Sequence, residues 1–388
     1  MLFWHFGYVG KQAREEYGWF AKEFGSARKE LYSVTEEFGL AGKECGLAKL
    51  LSCRVQLLCK SAKLLFYQAE LLCQRAKKET QCLLLKYEFL QNNSKYNTLA
   101  LAAMLKKLST LLEMIKFKHS VFAMPFALMG AFLAGRGLPS LRVFFWVILA
   151  MLGARTAAMT FNRIADHRFD AANPRTKSRA IPVGAVSLAE SWLLVAVASA
   201  LFFFACWMLN PLALTIAPFA LALTFFYSLT KRFTWLCHVV LGVALAISPL
   251  GGWVAAAGSL VGYPWVLSLG VLFWVAGFDI IYASQDAEFD RQAGLYSMPA
   301  SLGRKKAFQL AICFHVLAFL LFTLTGYMQH LNLVYYLGIA LTGVALFYQH
   351  LIVNPRDLSR IEMSFFSMNG FIALTLFIAA YISLLMEG

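Results

Sequence analysis

Three stretches of this chain, residues 191–230, 233–278 and 307–355, run for 40, 46 and 49 residues without a Lys, Arg, Asp or Glu. A helix needs about 20 apolar residues to cross the hydrocarbon of a bilayer, so each stretch holds two spans. Turns are expected near Asn210-Pro211, near residues 258–264 and near residues 328–332. Shorter uncharged runs at residues 120–135, 143–154 and 363–386 add one span each, the second continuing past Arg155 toward Asn162. The expected fold is all-α, a polytopic membrane protein of nine transmembrane helices. The spans lack the alternation of a membrane β-barrel. With 60% hydrophobic residues and a mean hydropathy of +0.62, a soluble domain is excluded.

The connecting loops set the expected orientation. Residues 163–179, Lys231-Arg232, residues 291–306 and residues 356–360 all fall on one side of a nine-span drawing, while the opposite loops carry only Arg136 and Arg142. By the positive-inside rule the basic side is cytoplasmic, as expected for a protein of the inner (plasma) membrane. The chain then starts in the cytoplasm and ends outside, and residues 1–10 lack the basic flank of a cleavable signal. Formal net charge is +14; residues 1–118 contribute +8 (19 basic, 11 acidic) and the rest +6 (16 basic, 10 acidic). Such a face attracts anionic lipid heads and anionic substrates. No stacking platform or groove-reading motif accompanies the charge, so nucleic acid is not an expected partner. The eight Cys form no CxxC pair, which leaves no zinc or redox motif.

Residues 1–114 form a separate expected unit. Glu16, Glu23, Glu30, Glu37 and Glu44 recur every seventh residue, and residues 14–90 carry an apolar seam in the same phase. The pattern is that of an amphipathic or coiled-coil-like helical extension capable of self-association, with a membrane-surface helix as the alternative. Residues 115–388 form the nine-helix domain.

Six Asp occur in 388 residues, and five of them fall in two clusters beside the apolar runs. Asn162, Asp166 and Asp170 are spaced by four, which stacks them on one helical face. Asp279, Asp286 and Asp290 repeat the pattern, with Tyr282 between them and Glu288 off the shared face. Acids beside a membrane span are costly and mark functional sites. Two such faces suit magnesium, which in turn holds diphosphate oxygens. Arg175, Lys177 and Arg179 follow the first cluster in a Pro- and Gly-containing loop, and Arg291 follows the second. These cations are placed to take the remaining phosphate charge. Arg155 lies two helical turns before Asn162, and Tyr227 and Lys231, four apart, share a face between the clusters. An ion-coupled secondary transporter using the same Asp and Asn residues is the rival reading, but its sites lie near mid-membrane, whereas these acids sit at the ends of spans.

The four motifs in order, NxxxDxxxD, NPRT with its following Arg, YxxxK and DxxYxxxDxxxD, resemble the UbiA superfamily of intramembrane aromatic prenyltransferases. The wording around Asn162 and Asp286 is similar to the 4-hydroxybenzoate polyprenyltransferase-like branch, including the subgroup linked to menaquinone made by the futalosine route. The resemblance implies a nine-helix bundle around a central cavity with a cytoplasmic cap. It implies a magnesium-dependent enzyme of ubiquinone or menaquinone biosynthesis that moves a polyprenyl group from polyprenyl diphosphate to an aromatic acid, a hydroxybenzoate or naphthoate. Asn162, Asp166 and Asp170 then correspond to one magnesium motif, and Asp286 and Asp290 to the other, with Asp279 nearby. Arg155, Tyr227 and Lys231 correspond to diphosphate or acceptor contacts.

Overall fold

Breaks between helices fall where polar or kinking residues interrupt the apolar runs. A computed structural model describes residues 124–387, together with residues 106–107, 109–111 and 113–115. The heptad seam of residues 14–90, and with it the expected self-association, lies outside the described residues. The ordered helices are α1 (Met124–Gly135), α2 (Leu141–Ala165), α3 (His167–Ala172), α4 (Leu188–Leu209), α5 (Pro211–Thr230), α6 (Cys237–Ala257), α7 (Trp265–Ala283), α8 (Ala287–Gln292), α9 (Met298–Leu302), α10 (Arg304–Met328), α11 (Leu333–Ile352) and α12 (Asn369–Glu387). A π-helical stretch, Met363–Met368, leads into α12. Among the described residues eight helices are long and apolar enough to cross a membrane, the last of them continuous over Met363–Met386, and α1 is a shorter apolar helix. Together they make the nine expected apolar helices.

All three expected turns are present, and local chemistry explains each. Asn210 caps α5 by accepting from Ala213 N at 2.9 Å, and Pro211 takes the first helical position, where its missing N–H costs nothing. The amide of Asn210 also donates to Val254 O at 2.8 Å, which ties this turn to the end of α6. Gly258 ends α6 with φ +65°, the left-handed conformation that glycine tolerates. Asn332 caps α11, and its backbone N–H donates to Ser383 Oγ at 2.8 Å, joining that turn to α12.

The helices pack chiefly as the pairs α2 with α4, α1 with α6, α6 with α7, α7 with α10 and α11 with α12. With lipid as the solvent, packing depends on close approach rather than on burial from water. A Cβ on Gly252 would sit 1.7 Å from Ala127 O, and one on Gly130 would sit 1.9 Å from Pro249 O. The α1–α6 contact is thus backbone against backbone. The ring of helices leaves a cavity of about 430 Å³ lined by α1 to α7, the segments around α3 and α8, and Phe365 of the π-helical stretch. Helices α10 and α11 pack outside it and line none of it.

Candidate active site

Both Asp clusters straddle helix breaks rather than continuous helices. Helix α2 stops at Ala165 and α3 starts at His167, with Asp166 between them. Hydrogen bonds from Asp166 N to Asn162 O (2.9 Å) and from Asp170 N to Asp166 O (2.8 Å) carry the helical rotation through the break. The second cluster breaks after Ala283, where Ser284, Gln285 and Asp286 each donate a backbone N–H to the residue three before, tightening the turn. Asp286 then stands at the head of α8. Asn162, Asp166 and Asp170, and likewise Asp279, Asp286 and Asp290, still line one cavity, although the helices do not continue.

Twelve of the fourteen expected site residues line the same cavity: Arg155, Asn162, Asp166, Asp170, Arg175, Arg179, Tyr227, Lys231, Asp279, Tyr282, Asp286 and Asp290. Lys177 and Arg291 do not. Lys177 is exposed, and Arg291 turns outward to Glu288 Oε2 at 2.9 Å. Glu288 itself is 64% exposed, off the acidic face as its register requires.

The basic loop closes on the carboxylates. Arg175 pairs with both oxygens of Asp286, with Nε donating to Oδ1 at 2.8 Å, and Asn173 Nδ2 donates to the same Oδ1 at 3.0 Å. Arg179 Nη1 donates to Asp170 Oδ1 and Oδ2 at 2.6 and 2.8 Å. Lys231 Nζ lies 3.6 Å from Asp290 Oδ2. Arg232 Nη2 donates to Ala165 O at 2.7 Å, satisfying a carbonyl at the end of α2, and lies 3.4 Å from Asp166 Oδ1. Arg175 also stands 5.6 Å from the Tyr282 ring centroid, and Tyr282 packs on Phe365 with centroids 4.1 Å apart.

Burial and pairing compete at these groups. Burial pushes the Asp166 carboxyl up; Lys231 and Arg232 oppose this, Asp170 adds to it, and the group stays above the usual carboxylate range. Burial also pushes Asp286 up, but the hydrogen bond and charge of Arg175 outweigh it and hold that carboxyl low. Arg175 is raised correspondingly: burial works against its charge and Asp286 more than offsets this. Lys231 is likewise raised, because Asp290 and neighbouring groups overcome its burial.

The donor set fits magnesium. Asn162 and the carboxylates of Asp166, Asp170, Asp286 and Asp290 face one cavity, all hard oxygen ligands. Asn162 spends its Nδ2 on Asp166 Oδ2 at 3.1 Å, which leaves its carbonyl oxygen for an ion. Asp290 Oδ2 is buried with no hydrogen-bond partner, since Lys231 is too far to donate. Among the described residues no three His, Cys, Asp or Glu side chains converge on one point. Each cluster contributes a pair of carboxylates, and a diphosphate would complete the coordination, in the way magnesium usually shares its ligands with substrate phosphates.

Spacing did not reveal Asn173, Arg163, Arg232 or His238. Arg163 and Arg232 read as positive-inside residues, and His238 sits in an apolar run with no motif around it. Arg163 and Asn173 line the cavity, and His238 Nδ1 bonds to Asp279 Oδ2 at 2.7 Å. Only the Asn of NPRT carried a signal, since it opens the basic motif.

The opposite part of the cavity is apolar, with Phe202, Cys206, Ala217, Ala220 and Leu245 among its walls. A comparison with family models matches residues 123–375 to the UbiA prenyltransferase family. The 4-hydroxybenzoate octaprenyltransferase of Nitrosospira multiformis is 30% identical over 250 residues, 64% of this chain and 86% of that protein. The apo structure of a UbiA homolog from Aeropyrum pernix K1 matches with a TM-score of 0.63 at 36% identity, over 68% of this chain and 97% of that one. A UbiA homolog from Archaeoglobus fulgidus bound to GPP and Mg2+ shares the fold, with a TM-score of 0.58 at 18% identity over 71% of this chain and 99% of that one.

Proposed function

The chain belongs to the UbiA prenyltransferase family, and on that premise we propose that it moves a polyprenyl group from polyprenyl diphosphate to an aromatic acid, with magnesium, in membrane quinone biosynthesis. The observation that carries this reading is one cavity with two chemistries: carboxylates and cations at one end, an apolar wall at the other. The relative from Nitrosospira multiformis, whose name specifies 4-hydroxybenzoate, supports a hydroxybenzoate-type acceptor. The basic loops support a polar end at the cytoplasmic face of the inner membrane.

Asn162, Asp166 and Asp170 on one bank, and Asp286 and Asp290 on the other, would hold magnesium. Its chemistry there is to offset the charge of the leaving diphosphate. Arg175, Arg179 and Lys231 take phosphate oxygens, which requires them to turn from their present carboxylate partners. Arg155 lines the cavity from α2 with its Nε buried and unpartnered. A buried donor of that kind calls for an anionic partner, and the carboxylate of the acceptor supplies one. Asp279 accepts a hydrogen bond from the acceptor's hydroxyl. The acceptor's ring carbon bonds to the allylic carbon as the carbon–oxygen bond to diphosphate breaks, and the ring then loses its proton to the released diphosphate. The faces of Tyr282 and Phe365 shield the allylic cation from water.

Membranes containing the protein, given 4-hydroxybenzoate or a naphthoate with a polyprenyl diphosphate and magnesium, should yield the carbon-prenylated acid by mass spectrometry. Absence of product with every acceptor and chain length would contradict the reading.

A further inference from the structure

Five carboxylates line the cavity, and four of them are held by an Arg or a Lys. Among the described residues Asp279 is the exception: its partner is His238. His238 is the single histidine in the uncharged run 233–278 and is wholly buried in α6. Its two ring nitrogens have distinct partners. Met298 is the first residue of α9, so its N–H has no partner within that helix. That N–H points to His238 Nε2 at 3.3 Å. A nitrogen that accepts a hydrogen bond carries no proton, so the proton sits on Nδ1, which donates to Asp279 Oδ2 at 2.7 Å. The other carboxylate oxygen, Oδ1, makes no hydrogen bond among the described residues, and Asp279 lines the cavity. The neighbouring groups on other elements, Tyr227 of α5 and Lys231 just beyond it, line the same wall.

We infer that His238 is a positioning residue: with its Nδ1 proton fixed on Asp279 Oδ2, it holds that carboxylate by one oxygen and so presents the other to the hydroxyl of the aromatic acceptor. The chain of contacts runs from the α9 backbone through the imidazole to Asp279 and the substrate. It couples the short helix behind the site to the acceptor without touching the magnesium clusters. This rests on the proposed reaction, so the test has one arm that depends on turnover and one that does not.

In the kinetic arm, His238→Asn keeps a nitrogen donor near the place of Nδ1, and His238→Leu removes it. His238→Leu should lower kcat by about tenfold or more, in the range seen when groups that orient a functional side chain are lost, and raise KM for the acceptor. KM for the diphosphate donor should stay within about twofold of wild type. His238→Asn should recover most of the loss. Equal activity of both variants and wild type overturns the inference, and so does equal inactivity of both when size-exclusion and thermal melting show them folded. In the second arm, 15N spectra of histidine-labelled protein in membranes, with the His238 signal assigned by its loss in His238→Asn, should show Nδ1 protonated and Nε2 bare. A protonated Nε2 overturns the inference. If wild type turns over no donor and acceptor, the reaction assignment fails, and the spectrum still decides the role of His238.

Discussion

Four of the five cluster carboxylates are met by an Arg or a Lys: Asp286 by Arg175, Asp170 by Arg179, Asp290 by Lys231 and Asp166 by Arg232. Such pairing offsets part of the cost of burying charge in a low-dielectric site, and it leaves the carboxylates ready for an ion when the cations turn to phosphate. Residues at these positions are held by charge rather than by packing. Asp166→Ala and Asp286→Ala should therefore lower turnover at least about 100-fold, about 2.7 kcal/mol of barrier, while the protein still folds. Glu288→Ala should change little, since its side chain is 64% exposed. Comparable losses in all three, measured as kcat in detergent, would refute the placement of the acids. At this scale the spacing of four made the carboxylates legible, because i and i+4 share a face. It left His238 and Arg232 unread, because their partners, Asp279 and Ala165 O, lie 41 and 67 residues away in sequence.

Among the elements, α1 and α6 meet more closely than any side chain allows. Gly252 and Gly130 are the points of contact. Gly252→Ala would force a methyl group onto the Ala127 carbonyl, with only backbone to give way. The expected cost is about 1–3 kcal/mol, the usual range for overpacking, seen as a lower melting temperature in detergent. Gly251, whose added Cβ would meet nothing within 4 Å, is the control, and Gly251→Ala should leave the melting temperature nearly unchanged. Equal effects at both positions would show that the helices can separate at no cost. Span positions were legible from run lengths, because a charge-free run of 40 residues has room for two crossings. Helix breaks after Ala165 and Ala283 were not, because the four-residue pattern runs straight through them. The π-helical stretch that brings Phe365 against Tyr282 left no sequence signal either, since its residues are as apolar as the helix that follows.

The membrane domain has a cavity that gathers residues from sequence positions 127 to 365, and residues 1–105 of the extension before it lie outside the described residues. We propose that residues 1–114 form a separate helical unit that mediates association. A chain lacking residues 1–90 should retain its kcat in detergent and change its oligomeric state; loss of activity in a truncated but folded protein would assign the extension to the site. The basic loops at the polar end of the cavity predict that a reporter placed within residues 176–180 is cytoplasmic, and an extracytoplasmic signal would contradict that orientation. Composition sufficed to identify a membrane protein, and motif order its family. The acceptor depends on the shape of a cavity built from seven helices, which no local pattern encodes.

Magnesium held between the two acidic banks is the central requirement of the proposed reaction. The direct measurement is prenylation of 4-hydroxybenzoate by purified protein after exhaustive chelation, followed by titration with magnesium. Activity should vanish on chelation and return with the added ion in wild type, but not in Asp286→Ala. Full activity in the chelated protein would contradict the account.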